Sequence, residues 1–345
     1  MRNKKQYIYA SLAFLFMLII ILDGKTALQG GYDGLNLCLR TAIPSLFPFF
    51  ILSGIISSTI IGQDILALRP FSRICKIPRG TEPILLLGFL SGYPVGAQLA
   101  TQSYKDGKIS LQTAERMIAI CNHAGPAFIF GMIAPMFSAS KFAWMLWLIQ
   151  ILCGLLVGII IPCGQVSFCN LDKKEPLTAN QAMKRAIITM GTICGWIIFF
   201  RVILNFCTKW FLWRVPVTLQ VLFSGLLELS NGCTRLSEIP NDGLRFILAN
   251  VLLSAGGLCV TMQTISVSQD VFSGKYFLGK GMQAVFSTLL SLLVQRLLFA
   301  DSMCYHVPVF VTILLCLAAI LLVFLSKKKK YVAISGKMVY NIRSK

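Results

Sequence analysis

Apolar residues run along this chain in blocks long enough to cross a bilayer, separated by short polar stretches. The clearest unbroken blocks are 7–22, 43–61, 142–163, 182–206, 282–300 and 307–326. Runs near twenty apolar residues match the hydrocarbon thickness of a membrane, so each predicts a spanning helix. Two further blocks behave differently. The block 85–101 is interrupted by Ser91-Gly92-Tyr93-Pro94-Val95-Gly96-Ala97, and 219–236 by Glu228-Leu229-Ser230-Asn231-Gly232. Gly, Pro and a carboxylate in mid-segment give up helical hydrogen bonds, which a membrane protein tolerates only beside other protein or a wet cavity. A pair of such interruptions, one in each half of the chain, points to the binding site of a secondary transporter.

Composition sharpens the class. Of 345 residues, 56% are hydrophobic and 13% charged, a ratio that predicts an all-α integral membrane protein rather than a soluble core. The formal net charge of +19 would suggest nucleic acid in a soluble chain. Here it sits in loops and in Lys327-Lys328-Lys329-Lys330 directly after a span, so we expect a topology determinant at the bilayer surface and no nucleic acid. The first block follows Lys4-Lys5 but is trailed by Asp23-Gly24-Lys25 rather than a small-x-small cleavage pattern, which predicts a retained anchor. Twelve cysteines occur singly, without C-x-x-C, and only His123 and His306 are histidines, so no metal site of ordinary spacing is expected.

Ten apolar segments allow two schemes: ten crossings, or about eight crossings with the two broken blocks as re-entrant hairpins. The hairpin scheme moves Lys105, Lys108, Arg116, Lys173, Lys174, Lys184 and Arg185 to the cytoplasm, and basic loops are retained there during insertion. It also makes the hairpins enter from opposite sides, as an inverted repeat requires. The predicted organisation is an amino-terminal anchor (1–28), a first repeat (29–164) with hairpin 83–102, a cytoplasmic linker (165–181), a second, inverted repeat (182–300) with hairpin 217–236, a last helix (301–326) and a basic cytoplasmic tail (327–345). Both termini are then cytoplasmic. Ala124-Gly125-Pro126-Ala127-Phe128-Ile129 lies over Ala255-Gly256-Gly257-Leu258-Cys259-Val260, placing Gly breaks in corresponding helices. Stretch 29–40, with Arg40, reads as an interfacial segment.

The candidate site gathers the polar groups at these breaks. Glu228 is the carboxylate nearest the middle of an apolar block and is expected either to serve substrate or ion or to close the turn as a neutral acid. Ser91, Gly92, Tyr93, Gln98, Ser230 and Asn231 offer hydroxyls, amides and backbone at the hairpin tips. Asn122, His123 and Gln263 flank the second pair of breaks. Pro94, Gly96, Gly125, Pro126, Gly232, Gly256 and Gly257 shape the breaks themselves. Arg201 is expected to snorkel to the interface or to hold a carboxylate such as Glu228. No H-E-x-x-H, no Asp-rich cluster and no Walker loop occurs, so no enzymatic chemistry is expected.

These motifs resemble the YlbJ-like sporulation integral membrane proteins of endospore formers, within the nucleoside-recognition, or Gate-domain, group related to concentrative nucleoside transporters. The resemblance rests on Pro44-Ser45-Leu46-Phe47-Pro48-Phe49-Phe50, Gly88-Phe89-Leu90-Ser91-Gly92-Tyr93-Pro94-Val95-Gly96-Ala97, Phe128-Ile129-Phe130-Gly131, Gly225-Leu226-Leu227-Glu228 with Gly232, and Gly256-Gly257-Leu258 with Gln263. It implies substrate held between two hairpin tips: a small organic anion or heteroaromatic solute, dipicolinate in spore formers, or a nucleoside in distant relatives. It also implies oligomers and a forespore membrane where the source sporulates. The coupling ion is left as Na⁺ or H⁺, and no cofactor is expected. A non-transporting scaffold for spore maturation is the alternative. His123 and Cys259 stand where the family tends to have hydroxyl residues.

Overall fold

The computed structural model describes residues 2–161 and 176–298; the expected helix 301–326, the tail 327–345 and most of the linker 165–181 lie outside the described residues. Among the described residues every regular element is helical. Five runs are long and apolar enough to cross a membrane: Gly24–Ile60, Lys141–Ile160, Ala179–Trp210, Asp242–Ser268 and Gly274–Gln295. Their outward faces explain the hydropathy. On Lys141–Ile160, Trp144, Leu148, Leu152, Leu156 and Ile159 form an exposed stripe, while Leu146, Ile149, Cys153 and Val157 are buried. A stripe of that length exposed to water would be a large unpaid apolar patch; facing lipid it costs nothing.

In chain order, α1 (Arg2–Leu22) leads to α2 (Gly24–Leu37), a widened π turn (Cys38–Ala42) and α3 (Ile43–Ile60). The stretch 29–40, expected as an interfacial segment, is helical and runs on through the π turn into α3. Close packing draws it in. A Cβ at Gly30 or Gly34 would lie 2.8 Å from the Cα of Val202 or Ile198, so this small-xxx-small pair lets α2 lie backbone to backbone on α10 (Ala179–Trp210). Leucine at position 34 should therefore force the pair apart, costing about 3 kcal/mol and lowering the thermal midpoint of purified protein. The same contact settles Arg201, whose Nη2 lies 3.4 Å from Asp33 Oδ2 on α2. Arg201 holds a carboxylate, and that carboxylate is Asp33 rather than Glu228.

The π turn has a local cause. Pro44 and Pro48 supply no N–H to the turn before them, and Ile43 N–H instead reaches back to Cys38 O. Ser45 Oγ donates to Thr41 O at 2.6 Å, so the hydroxyl is satisfied within its own helix turn. A second π turn, Ile129–Ile133, precedes Pro135 in the same manner.

After α4 (Arg69–Cys75), α5 (Glu82–Ser91) and α6 (Val95–Lys105) form the first broken block. It folds back on itself: a Cβ at Gly88 would stand 3.1 Å from the Cys121 carbonyl oxygen, and one at Gly96 would meet the same oxygen. The two arms clasp the end of α7 (Leu111–Ile120), which stops at Cys121; the chain resumes as a short helix, α8 (Pro126–Phe128). After α9 (Lys141–Ile160) and α10, the second broken block repeats the arrangement. α11 (Val217–Leu227) and α12 (Leu229–Thr234) fold together at Gly225 and Gly232, and α13 (Asp242–Ala255) breaks at Gly256 before α14 (Gly257–Ser268). α15 (Gly274–Leu298) begins two turns earlier than the apolar block 282–300 had indicated. It packs against α13, α9 and α7.

Candidate functional site

Each hairpin turn rests on a broken helix, backbone against backbone. In the first half, Gly92 has φ +75° and a Cβ there would run into the backbone of Gly125; Tyr93 N–H donates to His123 O at 2.8 Å. The Tyr93–Pro94 peptide is cis. In the second half, Gly257 has φ +73° and a Cβ there would stand 2.6 Å from Gly225 O. Glycine is required because only a chain without Cβ permits both the positive φ and the approach. In the first half the unwound backbone thus finds a hydrogen-bond partner in its counterpart.

Glu228 is 2% exposed and caps α12: Oε1 accepts from Ser230 N at 3.1 Å, and Oε2 from Asn231 N at 2.9 Å and Asn231 Nδ2 at 2.8 Å. Three donors thus converge on the one carboxylate at the head of α12. Turn closure and a place in the site are not exclusive, because Glu228 also borders a cavity of about 40 Å³. Tyr93, Gly125, Ser230 and Gln263 share its wall, so four side chains named from sequence (Tyr93, Glu228, Ser230, Gln263) converge from both hairpins and from α14. Thr41 in the π turn, Ser45 on α3, and Ile193 and Ile197 on α10 line the same cavity.

The other candidates lie elsewhere. Asn122 Nδ2 donates to Thr264 Oγ1 at 3.0 Å, tying the first break to α14. The His123 ring stacks on Phe89 at 4.8 Å, and its Nδ1 lies 3.1 Å from the Ala124 carbonyl. A carbonyl only accepts, so Nδ1 carries the proton, and the buried Nε2 is left without a partner. Asn231 is occupied with Glu228. Ser91 offers its backbone to Gly125. Gln98 donates to Thr189 at 3.2 Å and lines a larger cavity of about 210 Å³ with Ser53, Ser57, Gln102, Lys108 and Arg185. The two cavities are stacked along the same helices: Leu46 and Phe50 on α3, and Ile193 and Ala186 on α10, line the small one and the large one respectively.

Several polar residues escaped the sequence reading. Thr41 falls between the stretch read as interface (29–40) and the block 43–61, and Ser45 lies within that block. Lys280 is 8% exposed, and its Nζ donates to Ser254 O at 3.2 Å and lies 5.2 Å from the centroid of the Tyr93 ring. Its neighbours Gly279 and Gly281, just before the apolar run, made it look like a boundary residue. Gln150, Asn250, Ser254 and Ser287 form a buried chain of hydrogen bonds across α9, α13 and α15. Among the described residues no cluster of His, Cys, Asp and Glu could hold a metal ion, and the cysteines are free.

No family model matches the chain, and no solved structure matches it. It is similar to the sporulation integral membrane protein YlbJ of Bacillus subtilis (strain 168), 26% identical over 334 residues that cover 83% of this chain and 82% of the relative. The resemblance to YlbJ-like sporulation membrane proteins therefore holds. That match carries nothing about the wider nucleoside-recognition group.

Proposed function

We propose, taking a YlbJ-like integral membrane protein as the premise, that this chain is a secondary transporter of a small organic anion, with dipicolinate during spore formation as the first candidate. The observation that carries this reading is the meeting of two hairpin turns and two helix breaks around one cavity bordered by the Glu228 carboxylate. A fold spends buried hydrogen bonds and four close glycine contacts on that meeting, and transporters use such unwound backbone at the membrane midplane. Two inverted repeats, eight crossings and re-entrant hairpins, with both termini cytoplasmic, complete the proposed architecture. The 210 Å³ cavity, rimmed by Lys108 and Arg185, is then the cytoplasmic vestibule, and opening the wall between the two cavities admits substrate.

The small cavity holds two or three waters and not an aromatic dicarboxylate, so the described conformation is closed around its centre. Widening it needs hairpin and α10 to separate. An anionic substrate beside Glu228 also places two like charges in a low-dielectric site, which requires a compensating positive charge, on a proton, a cation or a side chain.

Uptake of labelled dipicolinate into proteoliposomes, with uridine in parallel, tests the reading. Saturable dipicolinate uptake is expected. Uridine uptake instead would retain the mechanism and replace the substrate. Absence of both, under Na⁺ and proton gradients, would favour the scaffold.

A further inference from the structure

α15 carries two side chains, one turn apart, that reach the ends of both broken helices. Gln283 Nε2 donates to Ala119 O and Ile120 O, at 3.2 Å each, at the end of α7. Lys280 Nζ donates to Ser254 O, at 3.2 Å, at the end of α13. The last carbonyls of a helix have no partner within it and concentrate partial negative charge. Where a membrane helix unwinds, such carbonyls are ready ligands for an alkali cation.

At the α13 break that place is filled by an amine. The Lys280 ammonium lies against Ser254 O on one side and the face of Tyr93 on the other, a cation over an aromatic ring. A Cβ on Gly256 would stand 3.3 Å from Nζ, so the amine presses directly on the αL residue at which the helix breaks. Among the described residues no carboxylate lies within ion-pair distance of it. The surroundings are rich in oxygen acceptors instead. Asn122 Oδ1 and Gln283 Oε1, beside the α7 end, are buried and have no hydrogen-bond partner. A buried amine without a carboxylate is costly unless dipoles compensate it; the carbonyl end of α13 and a π face are the compensation here.

We propose that Lys280 is a tethered stand-in for a cation: its amine occupies at the α13 break the carbonyl end that a bound Na⁺ would otherwise take, and holds the break closed behind the Tyr93 ring that lines the central cavity. The inference rests on the transporter reading for its purpose, but its geometry and its test do not. Lys280 acts through Tyr93, which lines the cavity, and is a positioning residue rather than a substrate contact.

The test compares thermal unfolding of purified full-length protein in equimolar NaCl and choline chloride. Wild type and Lys280→Arg are expected to unfold at the same temperature in both salts. Lys280→Ala vacates the carbonyl end and should unfold earlier in choline; Na⁺ at about ten times its Kd would then raise its midpoint by about 2 °C. If Lys280→Ala does not fold, Lys280→Gln, which keeps a donor for Ser254 but no charge, carries the same comparison. A wild-type midpoint that rises in NaCl would overturn the proposal, as would a charge-free variant that is blind to Na⁺. Failure of the transporter reading, seen as no uptake of any solute, leaves these midpoints where they are, so the two failures are distinguishable.

Discussion

Glu228→Gln is expected to reduce dipicolinate uptake at least about 100-fold, equivalent to roughly 2.7 kcal/mol at the rate-limiting step, while the protein still inserts and accumulates. The carboxylate receives three hydrogen bonds at the head of α12 and borders the cavity. Glutamine keeps one acceptor oxygen but turns an NH₂ towards backbone N–H donors, which weakens the cap by about 1–2 kcal/mol and removes the ionisable group. Glu228→Asp separates the two roles. Aspartate is a good N-cap, so stability should hold, yet the shorter side chain withdraws from the cavity and uptake should fall. Full uptake in Glu228→Gln, with normal abundance, would remove Glu228 from the site and leave it a turn-closing residue.

Gly92→Ala is expected to prevent accumulation of folded protein altogether. Two costs combine at this position: φ is +75°, and the new methyl would collide with the backbone of Gly125. Neither partner yields cheaply, because Gly125 is itself closed in by Ser91. A loss above about 4 kcal/mol is anticipated. Gly107→Ala is the control. Gly107 has nearly the same φ, +72°, but nothing within 4 Å of a Cβ, so it carries the conformational penalty alone, about 1 kcal/mol. Similar midpoints for the two variants would mean that the crossing of hairpin and broken helix is looser than described. Detergent-solubilised yield and thermal unfolding measure both.

These two positions were legible from sequence because their residue types contradict their surroundings. A Gly-Tyr-Pro run, or a Glu with Ser and Asn, inside an apolar block has no rationale as uniform lipid-facing helix. The likeness of the two Ala-Gly elements placed Gly breaks in corresponding helices, but the contacts of Gly92 with Gly125 and of Gly257 with Gly225 are set by the folded backbone and were not legible. Other features were hidden for equally physical reasons. Asp33 and Arg201 are separated by 168 positions, and nothing local marks either as the other's partner. Thr41 enters the cavity only because Pro44 and Pro48 widen the turn, a displacement that periodicity does not encode. Lys280 sat where lysines usually snorkel to the interface; only the early start of α15 puts it inside. Gln98 was read at the hairpin tip, but it lies one turn into α6 and lines the larger cavity instead.

The two caps offered by α15 bear on how the centre can open. Lys280 and Gln283 are one turn apart on a single stiff rod, yet each is attached to a different half of the molecule. Any motion that drew the α7 and α13 breaks away from one another would strip a carbonyl end of its donor in a medium without water, at about 1–3 kcal/mol for each group left bare. A motion that carried both breaks and both hairpins together past α3 and α10 would strip neither. α15 thus couples the halves as an axle couples two wheels, and the soft direction of this fold is sliding of the coupled body along the wall formed by α3 and α10.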